Sequence, residues 1–262
     1  MLRDLVPPIL ANFYNRLASR GGFSGNYASW EEAVRVSTGY DSDVILNKVR
    51  DSLLKVKRGE HVYERDSVLF DRVQYSWPLL AGLLWIASQK DNRLNLVDFG
   101  GSLGSTYYQN RKFLSQLKEL HWSIVEQKKF AECGKRDFEN EHVKFYDDIE
   151  ECFGEQRPDA ILLSGVLQYL EKPYALLEKV QSLGFEFILV DRTPFLEKGG
   201  DRITVQRVPP EIFPASYPCW FFSREKFLDA MDFRYRLVEE FEGFEKADVR
   251  DSAFKGFLFQ RK

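Results

Sequence analysis

The chain has few cysteines and histidines. Its 262 residues contain three of each. Cys133, Cys152 and Cys219 are odd in number and far apart, so they suit neither a disulfide framework nor a paired-cysteine metal site. No group of His, Cys and acidic residues has the spacing of a zinc site. The sequence therefore predicts a protein of a reducing compartment without a catalytic metal.

Excess positive charge and long apolar runs are also missing. Lys and Arg number 37 against 40 Asp and Glu. Proteins that bind nucleic-acid backbones carry an excess of basic residues, and this sequence has no such excess. The longest apolar run, Trp77 to Ala87, is too short to cross a bilayer. The start "MLRDLVPPILANFY" has Asp4 and the pair Pro7-Pro8 where a signal peptide needs an unbroken apolar core. We expect a cytoplasmic protein with no nucleic-acid partner and no integral membrane segment.

The pattern of apolar residues changes at Leu94 and divides the chain into two parts. The apolar share of 44% is ample for a folded core. Before Leu94 the pattern is helical, with a capping box at Ser29 and Glu32. From Leu94 onward, short β-rich runs alternate with helix-length segments. The sequence predicts an N-terminal helical appendage over residues 1–93 and a larger α/β domain over residues 94–262.

The β-rich runs indicate the kind of sheet. "LNLVDF", "WSIVE", "HVKFY", "DAILLS" and "FEFILVD" are apolar and separated by helix-length segments, as in parallel strands buried on both faces. "YRLVEEF" and "AFKGFLFQ" leave no room for a crossover helix between them, so they predict an antiparallel hairpin. The predicted fold class is α/β, with a Rossmann-like, doubly wound, mostly parallel seven-stranded sheet that ends in this hairpin.

A proline-rich segment separates the fifth strand from that hairpin. Residues 192–222 hold five of the ten prolines, which excludes a simple helix, yet the segment is rich in large apolar residues. We predict an ordered loop beside the carboxyl ends of the strands, in the position of a substrate lid. The alternative is that this segment only covers the sheet edge.

A glycine turn follows the first strand of the α/β domain in "LNLVDFGGSLGSTYYQN". The dinucleotide fingerprint G-x-G-x-x-G would need glycine where Phe99 stands. The pattern acid-x-G-x-G-x-G fits Asp98, Gly100 and Gly104, with Ser102 in place of the middle glycine. That pattern is typical of S-adenosylmethionine enzymes, and its position at the end of a strand faces the ligand crevice of an open α/β sheet. The alternative is a plain glycine turn.

Polar residues end the next strands of the predicted sheet. Glu126 lies 22 residues after Gly104, near the distance of about 20 expected for an acid that binds ribose hydroxyls. Tyr146, Asp147 and Asp148 end the third strand, and any of them could contact adenine, although acids there are often solvated caps. Ser164 and Gly165 end the fourth strand and are predicted to form part of the pocket wall. The predicted cofactor-binding residues are Asp98, Gly100, Gly101, Ser102, Gly104, Glu126, Asp147, Ser164 and Gly165.

Three residues are candidates for the reacting end of the crevice. Asp191 ends the fifth strand and is the candidate base for an acceptor hydroxyl. Arg192 beside it is suited to an acidic sugar or phosphate group. Tyr169 is a candidate for the wall of the same pocket. Structural capping by Asp191 and ordinary packing of Tyr169 are the alternatives.

The segment "HVYERDS" is a candidate for substrate contact. His61, Tyr63, Arg65 and Asp66 combine the polar and aromatic groups that line sugar or phosphosugar pockets. An ion-paired joint between the appendage and the α/β domain is the competing interpretation.

Taken together these residues look like a class I S-adenosylmethionine-dependent methyltransferase. The blocks "FSGNYASWEEA", "YERDSVLFDRVQYSWPLL", "LVDFGGSLGSTYYQ", "SGVLQYLEKPY" and "DRITVQRVPPEIFPASYPCWFFS" resemble a bacterial family assigned as methyltransferases and encoded among surface-polysaccharide synthesis genes. The resemblance runs from about residue 22 to the end of the chain. It implies S-adenosylmethionine as cofactor and methyl transfer to an oxygen or nitrogen of a saccharide or of a nucleotide- or lipid-linked sugar.

Two other functions stay open at this point. A catalytically silent methyltransferase fold could hold the cofactor or a partner enzyme in a polysaccharide assembly. A nicotinamide-dependent sugar oxidoreductase is disfavoured by Phe99 and by the terminal hairpin. It is also disfavoured because Pro173, not lysine, stands four residues after Tyr169. The sequence leaves the oligomeric state open.

Overall fold

A computed structural model describes residues 21–39, 42–209, 212 and 215–262. The first twenty residues of the predicted appendage, including Asp4 and Pro7-Pro8, lie outside the described residues. The strands are β1 Gly22–Tyr27, β2 Tyr63–Arg65, β3 Val68–Phe70, β4 Arg93–Phe99, β5 Glu119–Val125, β6 Val143–Tyr146, β7 Ala160–Ser164, β8 Phe187–Leu196, β9 Arg202–Arg207, β10 Ser216–Ser223, β11 Tyr235–Glu242 and β12 Ser252–Arg261.

Helices alternate with these strands over most of the chain. No helix of the described residues is long and apolar enough to cross a membrane. A short 3-10 turn spans Leu167–Tyr169. The α-helices are α1 Trp30–Val36, α2 Ser42–Lys57, α3 Trp77–Gln89, α4 Ser105–Leu114, α5 Lys128–Asp137, α6 Ile149–Gln156, α7 Pro173–Leu183 and α8 Arg224–Asp232.

The central sheet has the order β6-β5-β4-β7-β8-β12-β11. Its strands are parallel from β6 to β8, and β12 runs antiparallel to both β8 and β11. Both faces are covered: Leu96 packs in one apolar cluster with α2 to α5, and its neighbour Val97 packs in another with α6 to α8. The predicted mostly parallel, doubly wound sheet with an antiparallel hairpin is confirmed.

Three further strands extend the sheet, which therefore has ten strands among the described residues and not the predicted seven. β10 pairs in parallel with the end of β8 at Phe195 and Leu196, and β9 and then β1 follow in antiparallel pairing. The prediction of a loop over residues 192–222 is wrong, because that segment supplies the end of β8, then β9 and β10. Pro194 and Pro218 are tolerated because each lies where its strand has one partner strand only.

The segment before Leu94 is only partly helical. The capping box is present, since Ser29 accepts a hydrogen bond from the Glu32 backbone N–H at 3.3 Å and Glu32 accepts one from the Ala28 N–H at 3.1 Å. However, β1 joins the large sheet and β2 pairs with β3 as a hairpin. A helical pattern could not reveal β1, because its partner β9 lies far along the chain. The boundary at residue 93 stays a prediction.

Candidate active site

The glycine loop between β4 and α4 approaches its neighbours closely. Gly100 has a φ of +72°, and a Cβ there would lie 2.5 Å from a methyl carbon of Val166. A Cβ on Gly101 would lie 2.5 Å from the carboxyl carbon of Asp98. Ser102, which stands where the pattern has glycine, has a φ of +55°. The loop therefore has the left-handed turn of the glycine pattern even with serine at that position.

The side chain of Asp98, at the end of β4, packs against this loop. Its side chain is 1% exposed and accepts a hydrogen bond from the Trp122 indole N–H at 3.1 Å. Burial, together with the nearby charge of Glu126, raises the pKa of Asp98 to about 7, against the hydrogen bond that lowers it. Because Gly101 lies against this carboxyl group, Asp98 helps to define the shape of the loop.

Glu126 joins the ends of two neighbouring strands. β4 and β5 pair in parallel, so the residue after β5 lies beside the loop after β4. One Glu126 oxygen accepts the Ser102 backbone N–H at 3.2 Å and the other accepts the Gln127 N–H at 2.8 Å. Burial raises the pKa of this carboxyl group. Each carboxylate oxygen can accept a further hydrogen bond, so the group remains available to a diol.

The ends of β6 and β7 lie at the same edge of the sheet. Asp147 is exposed after β6, whereas Asp148 caps α6 by accepting the Glu151 N–H at 2.8 Å. Gly165 has a φ of +65°, and its N–H donates to the Asp191 carbonyl at 2.9 Å. Ser164 donates from its hydroxyl to the Asp191 carboxylate at 3.4 Å. The end of β7 is therefore held beside Asp191, which lies within β8 and not at its end as predicted, because β8 continues to Leu196 to pair with β12 and β10.

A small cavity lies between these strand ends and the β2–β3 hairpin. It has a volume of about 40 Å³, which is room for a few water molecules. Predicted substrate residues and predicted catalytic residues line it together, although more than 100 residues of sequence separate Arg65 from Asp191. Residues of both groups line it: Tyr63, Arg65, Ser105, Ser164, Asp191 and Arg192.

Ion pairs close one side of this cavity. The Arg192 guanidinium contacts Asp66 at 2.9 Å and Glu245 at 2.7 Å, while Arg65 lies 3.8 Å from the same Glu245 oxygen. The second Glu245 oxygen is buried and has no hydrogen-bond partner among the described residues. The Arg192–Asp66 pair is an ion-paired joint of the kind that the sequence left as an alternative, and of its two residues Arg192 lines the cavity whereas Asp66 does not.

Two buried carboxyl groups belong to the cavity and its wall. Asp191 is 2% exposed, and burial together with the nearby Glu245 charge raises its pKa to about 6, although Arg192 opposes the shift. Burial raises the pKa of Glu64 to about 7, against hydrogen bonds from the Ser105 hydroxyl at 2.6 Å and the Ser67 N–H at 2.7 Å. Glu64 thereby ties the hairpin to the first residue of α4.

Two predicted residues lie apart from the cavity wall. His61 is half-buried after α2 and its N–H donates to the Lys55 carbonyl at 3.3 Å. Tyr169 donates its hydroxyl to Gln206 at 2.8 Å and packs edge-on against Tyr217. Neither is among the residues that line the cavity in the described part of the chain.

The predicted site residues omit two acids of this region. Glu64 stands inside the candidate segment "HVYERDS" between Tyr63 and Arg65, so the sequence marks its segment without assigning it a role. Glu245 comes from the polar stretch between β11 and β12, where nothing in the local pattern marks it. Only the pairing of β12 with β8 brings that stretch to the cavity.

The raised pKa values predict how stability depends on pH. Asp98, Glu64 and Asp191 have pKa values raised to about 7, 7 and 6, so between pH 4.5 and 7 the folded chain binds more protons than the unfolded one. The free energy of unfolding should therefore fall as the pH rises through this window. Asp137 and Glu240, lowered to about 2, act in the opposite direction only at lower pH.

Urea unfolding at several pH values measures this slope. The Asp98→Asn variant keeps an acceptor for Trp122 and should show a smaller loss of stability between pH 4.5 and 7. Asp229→Asn, which removes an exposed carboxylate on α8, should leave the slope unchanged. An identical slope in all three proteins would contradict the assignment to Asp98.

Comparison with known proteins shows which fold this is. No family model and no curated protein sequence matches the chain. The N-terminal domain of EvdMO1, crystallised in the presence of S-adenosylhomocysteine (SAH) and D-fucose, is 14% identical with a TM-score of 0.50, covering 86% of this chain and 98% of that one. The same domain with SAH bound is 13% identical at a TM-score of 0.50, again over 86% and 98%.

A third solved structure is also similar. It is the Burkholderia thailandensis 1,6-didemethyltoxoflavin-N1-methyltransferase with bound 1,6-didemethyltoxoflavin and SAH, 13% identical with a TM-score of 0.49 over 91% of this chain and 93% of that one. At such identities likeness concerns the fold alone. The strand order and the EvdMO1 domain confirm the predicted Rossmann-like fold.

Proposed function

We propose that this chain is a methyltransferase that uses S-adenosylmethionine to methylate an oxygen or nitrogen of a small molecule. One observation carries the proposal: the glycine loop after β4 and the carboxylate of Glu126 after β5 form one cradle at the crevice of a class I methyltransferase fold. The neighbouring domain crystallised with SAH supports the same cofactor class.

The residues of the cradle fit this cofactor. Gly100 and Gly101 pack against Val166 and Asp98 so closely that neither position has room for a side chain, and the loop backbone there carries no side chain that would keep a ligand away. Glu126 offers a fixed carboxylate to two adjacent ribose hydroxyls. We assign the methionine part to the loop and to Asp98, the adenine to the side of Asp147, and the remaining wall to Ser164 and Gly165.

We further propose a saccharide acceptor, in the cavity between the strand ends and the β2–β3 hairpin. Its wall offers carboxylates, guanidinium groups and a tyrosine, which are the groups that hold the hydroxyls of a sugar. The resemblance to proteins of surface-polysaccharide synthesis supports this class of acceptor. So does the neighbour crystallised in the presence of SAH and D-fucose.

Asp191 is the proposed general base. A hydroxyl acceptor must lose its proton as its oxygen forms the new bond to carbon, and the Asp191 carboxylate faces the cavity where that oxygen would lie. With a pKa raised to about 6 it is ionised at pH 7 and more basic than an exposed aspartate. When bound, S-adenosylmethionine supplies the electrophilic methyl group.

Arg192 and its partners have a second role in this proposal. The volume of about 40 Å³ is too small for a sugar ring, so the acceptor must displace the ion pairs of Arg192 with Asp66 and Glu245. Arg192 could then hold an acidic group of the acceptor.

The closed cavity also favours a second candidate. If the ion pairs of Arg192 do not open, the chain is a catalytically silent methyltransferase fold that binds cofactor or a partner protein. The two candidates differ in a simple respect, because only the enzyme consumes S-adenosylmethionine when it is given a panel of sugar acceptors.

Calorimetric titration of the cofactor-free protein tests the cofactor class. We expect micromolar binding of SAH and no binding of NADH, because the cradle offers a ribose clamp but Phe99 replaces the first glycine of the nicotinamide fingerprint. Binding of NADH alone would reverse the assignment. Binding of neither ligand would remove the methyltransferase proposal and leave only a partner-binding role.

A further inference from the structure

A second groove lies beside the acceptor cavity, on the other side of Gln109. It has a volume of about 470 Å³, within the range of about 300–1,000 Å³ typical of small-molecule sites. The segment that contains Val62, Arg72, Val73 and Tyr75 forms one wall. Helix α4 forms the opposite wall.

The groove carries positive charge on both walls. Arg72 stands on one side, and Arg111 and Lys112 stand on the other. All three are exposed, and no carboxylate of the described residues lines the groove or pairs with them. In a chain with a net charge of −3, three cations without acidic partners around one concave surface are suited to an anionic ligand.

Aromatic rings also line both walls of this groove. Tyr75 and Tyr108 line it, and the Arg111 guanidinium lies 5.2 Å from the centre of the Tyr108 ring. Stacking on a ring holds a guanidinium in place while its edge remains free to donate hydrogen bonds to an anion. Next to Tyr75, Trp77 is 58% exposed, with the ring centres 5.0 Å apart.

The groove and the acceptor cavity share one lining residue among the described part of the chain. Gln109 lines both, and its amide donates to the Tyr63 hydroxyl at 3.2 Å and to the Gln74 carbonyl. Asp191 and Glu245 line the cavity together with Arg65 and Arg192, whereas the charged residues that line the groove are all cations. This difference suits a molecule with hydroxyl groups at one end and a phosphate ester at the other.

We infer that the groove binds the diphosphate group of an acceptor sugar that is carried on a nucleotide or a lipid. The inference rests on the proposed function, because it assigns the sugar end of the same molecule to the acceptor cavity. Arg72, Arg111 and Lys112 bind the phosphate oxygens from opposite walls. Tyr75 and Tyr108 contact the part of the carrier that follows the diphosphate.

The test is calorimetric titration of the full chain with three diphosphates. Uridine diphosphate, inorganic pyrophosphate and farnesyl diphosphate represent a nucleoside carrier, the bare anion and a lipid carrier. We expect at least one to bind with micromolar affinity, and more weakly at about 300 mM than at about 50 mM salt because exposed charges are screened. Tighter binding of uridine diphosphate or of farnesyl diphosphate than of pyrophosphate identifies the carrier, whereas equal affinity for all three would contradict the carrier contact of Tyr75 and Tyr108.

Two matched triple variants separate this site from general charge. Arg72→Gln, Arg111→Gln and Lys112→Gln together should weaken binding by about tenfold or more, as the combined loss of three exposed charge contacts. The control combines Lys55→Gln, Lys135→Gln and Lys198→Gln, which removes the same charge from exposed positions away from the groove and should bind like the parent. Lys135, like Lys112, lies in the last turn of its helix.

The result that would overturn the inference is binding of none of the three diphosphates, or equal affinity in the parent and the groove variant. SAH is titrated into the same proteins, so the two proposals fail separately. Loss of SAH binding alone would remove methyl transfer and leave the diphosphate site. Loss of diphosphate binding alone would remove the groove and leave the methyltransferase.

Discussion

Replacing Asp191 by asparagine is expected to lower turnover by a factor of about 10² to 10⁴, the usual contribution of a general base. The amide keeps the size of the side chain and can still accept the Ser164 hydroxyl, so the fold and SAH affinity should be unchanged. The parent enzyme should gain activity as the pH rises through about 6, where Asp191 becomes ionised. That limb of the pH profile should be absent in the variant.

The measurement uses the best acceptor found among saccharides and nucleotide sugars, with turnover and SAH affinity determined for each protein. Asp229→Asn is the matched control, because it removes one carboxylate from the exposed face of α8. A variant that retains full turnover and the same pH profile would show that Asp191 only holds Ser164 and Gly165 at the end of β7. Glu245, with its unpaired buried oxygen, would then be the next base to test.

Replacing Glu126 by alanine is expected to weaken SAH binding by about 1 to 3 kcal/mol, the range for loss of a charged hydrogen-bond acceptor. Two contributions combine here. The variant loses the acceptor for the ribose hydroxyls, and it also loses the anchor for the Ser102 N–H at 3.2 Å, which loosens the glycine loop. Calorimetry of the folded variant measures the sum.

Glutamine at position 126 separates these contributions. It keeps one oxygen for the loop but accepts from the ribose at fewer positions, so its SAH affinity should lie between those of the parent and the alanine variant. Glu132→Ala, an exposed acid on the following helix, should bind SAH like the parent. Unchanged affinity in Glu126→Ala would remove the ribose assignment.

The central sheet and the cradle follow from local patterns. Apolar runs such as "DAILLS" predict parallel strands, because only strands covered on both faces are apolar at successive positions. The glycine loop with Asp98 is marked by its own residues, and Glu126 is marked by its spacing from Gly104. They lie together because neighbouring parallel strands end at one edge, which is a rule of topology.

The additional strands could not be predicted in this way. Pro218 lies within β10, and Pro209, Pro210 and Pro214 lie between β9 and β10, so the sequence indicates an irregular loop. Their pairing depends on β1, some 180 residues earlier, and on the end of β8. Strand pairing over such distances leaves no periodic trace in either segment, because each strand's pattern reflects burial and not the identity of its partner.

The sequence by itself determined the α/β class, the parallel strands with their terminal hairpin, and the chemistry of the glycine loop. Only the tertiary structure decided that the β2–β3 hairpin faces Asp191, that Glu245 reaches Arg192, and that three cations share one groove. The physical reason is the distance along the sequence over which each interaction acts. Propensity, burial and turn chemistry act between residues close in the chain, whereas a site depends on contacts that exist only after distant segments have packed together.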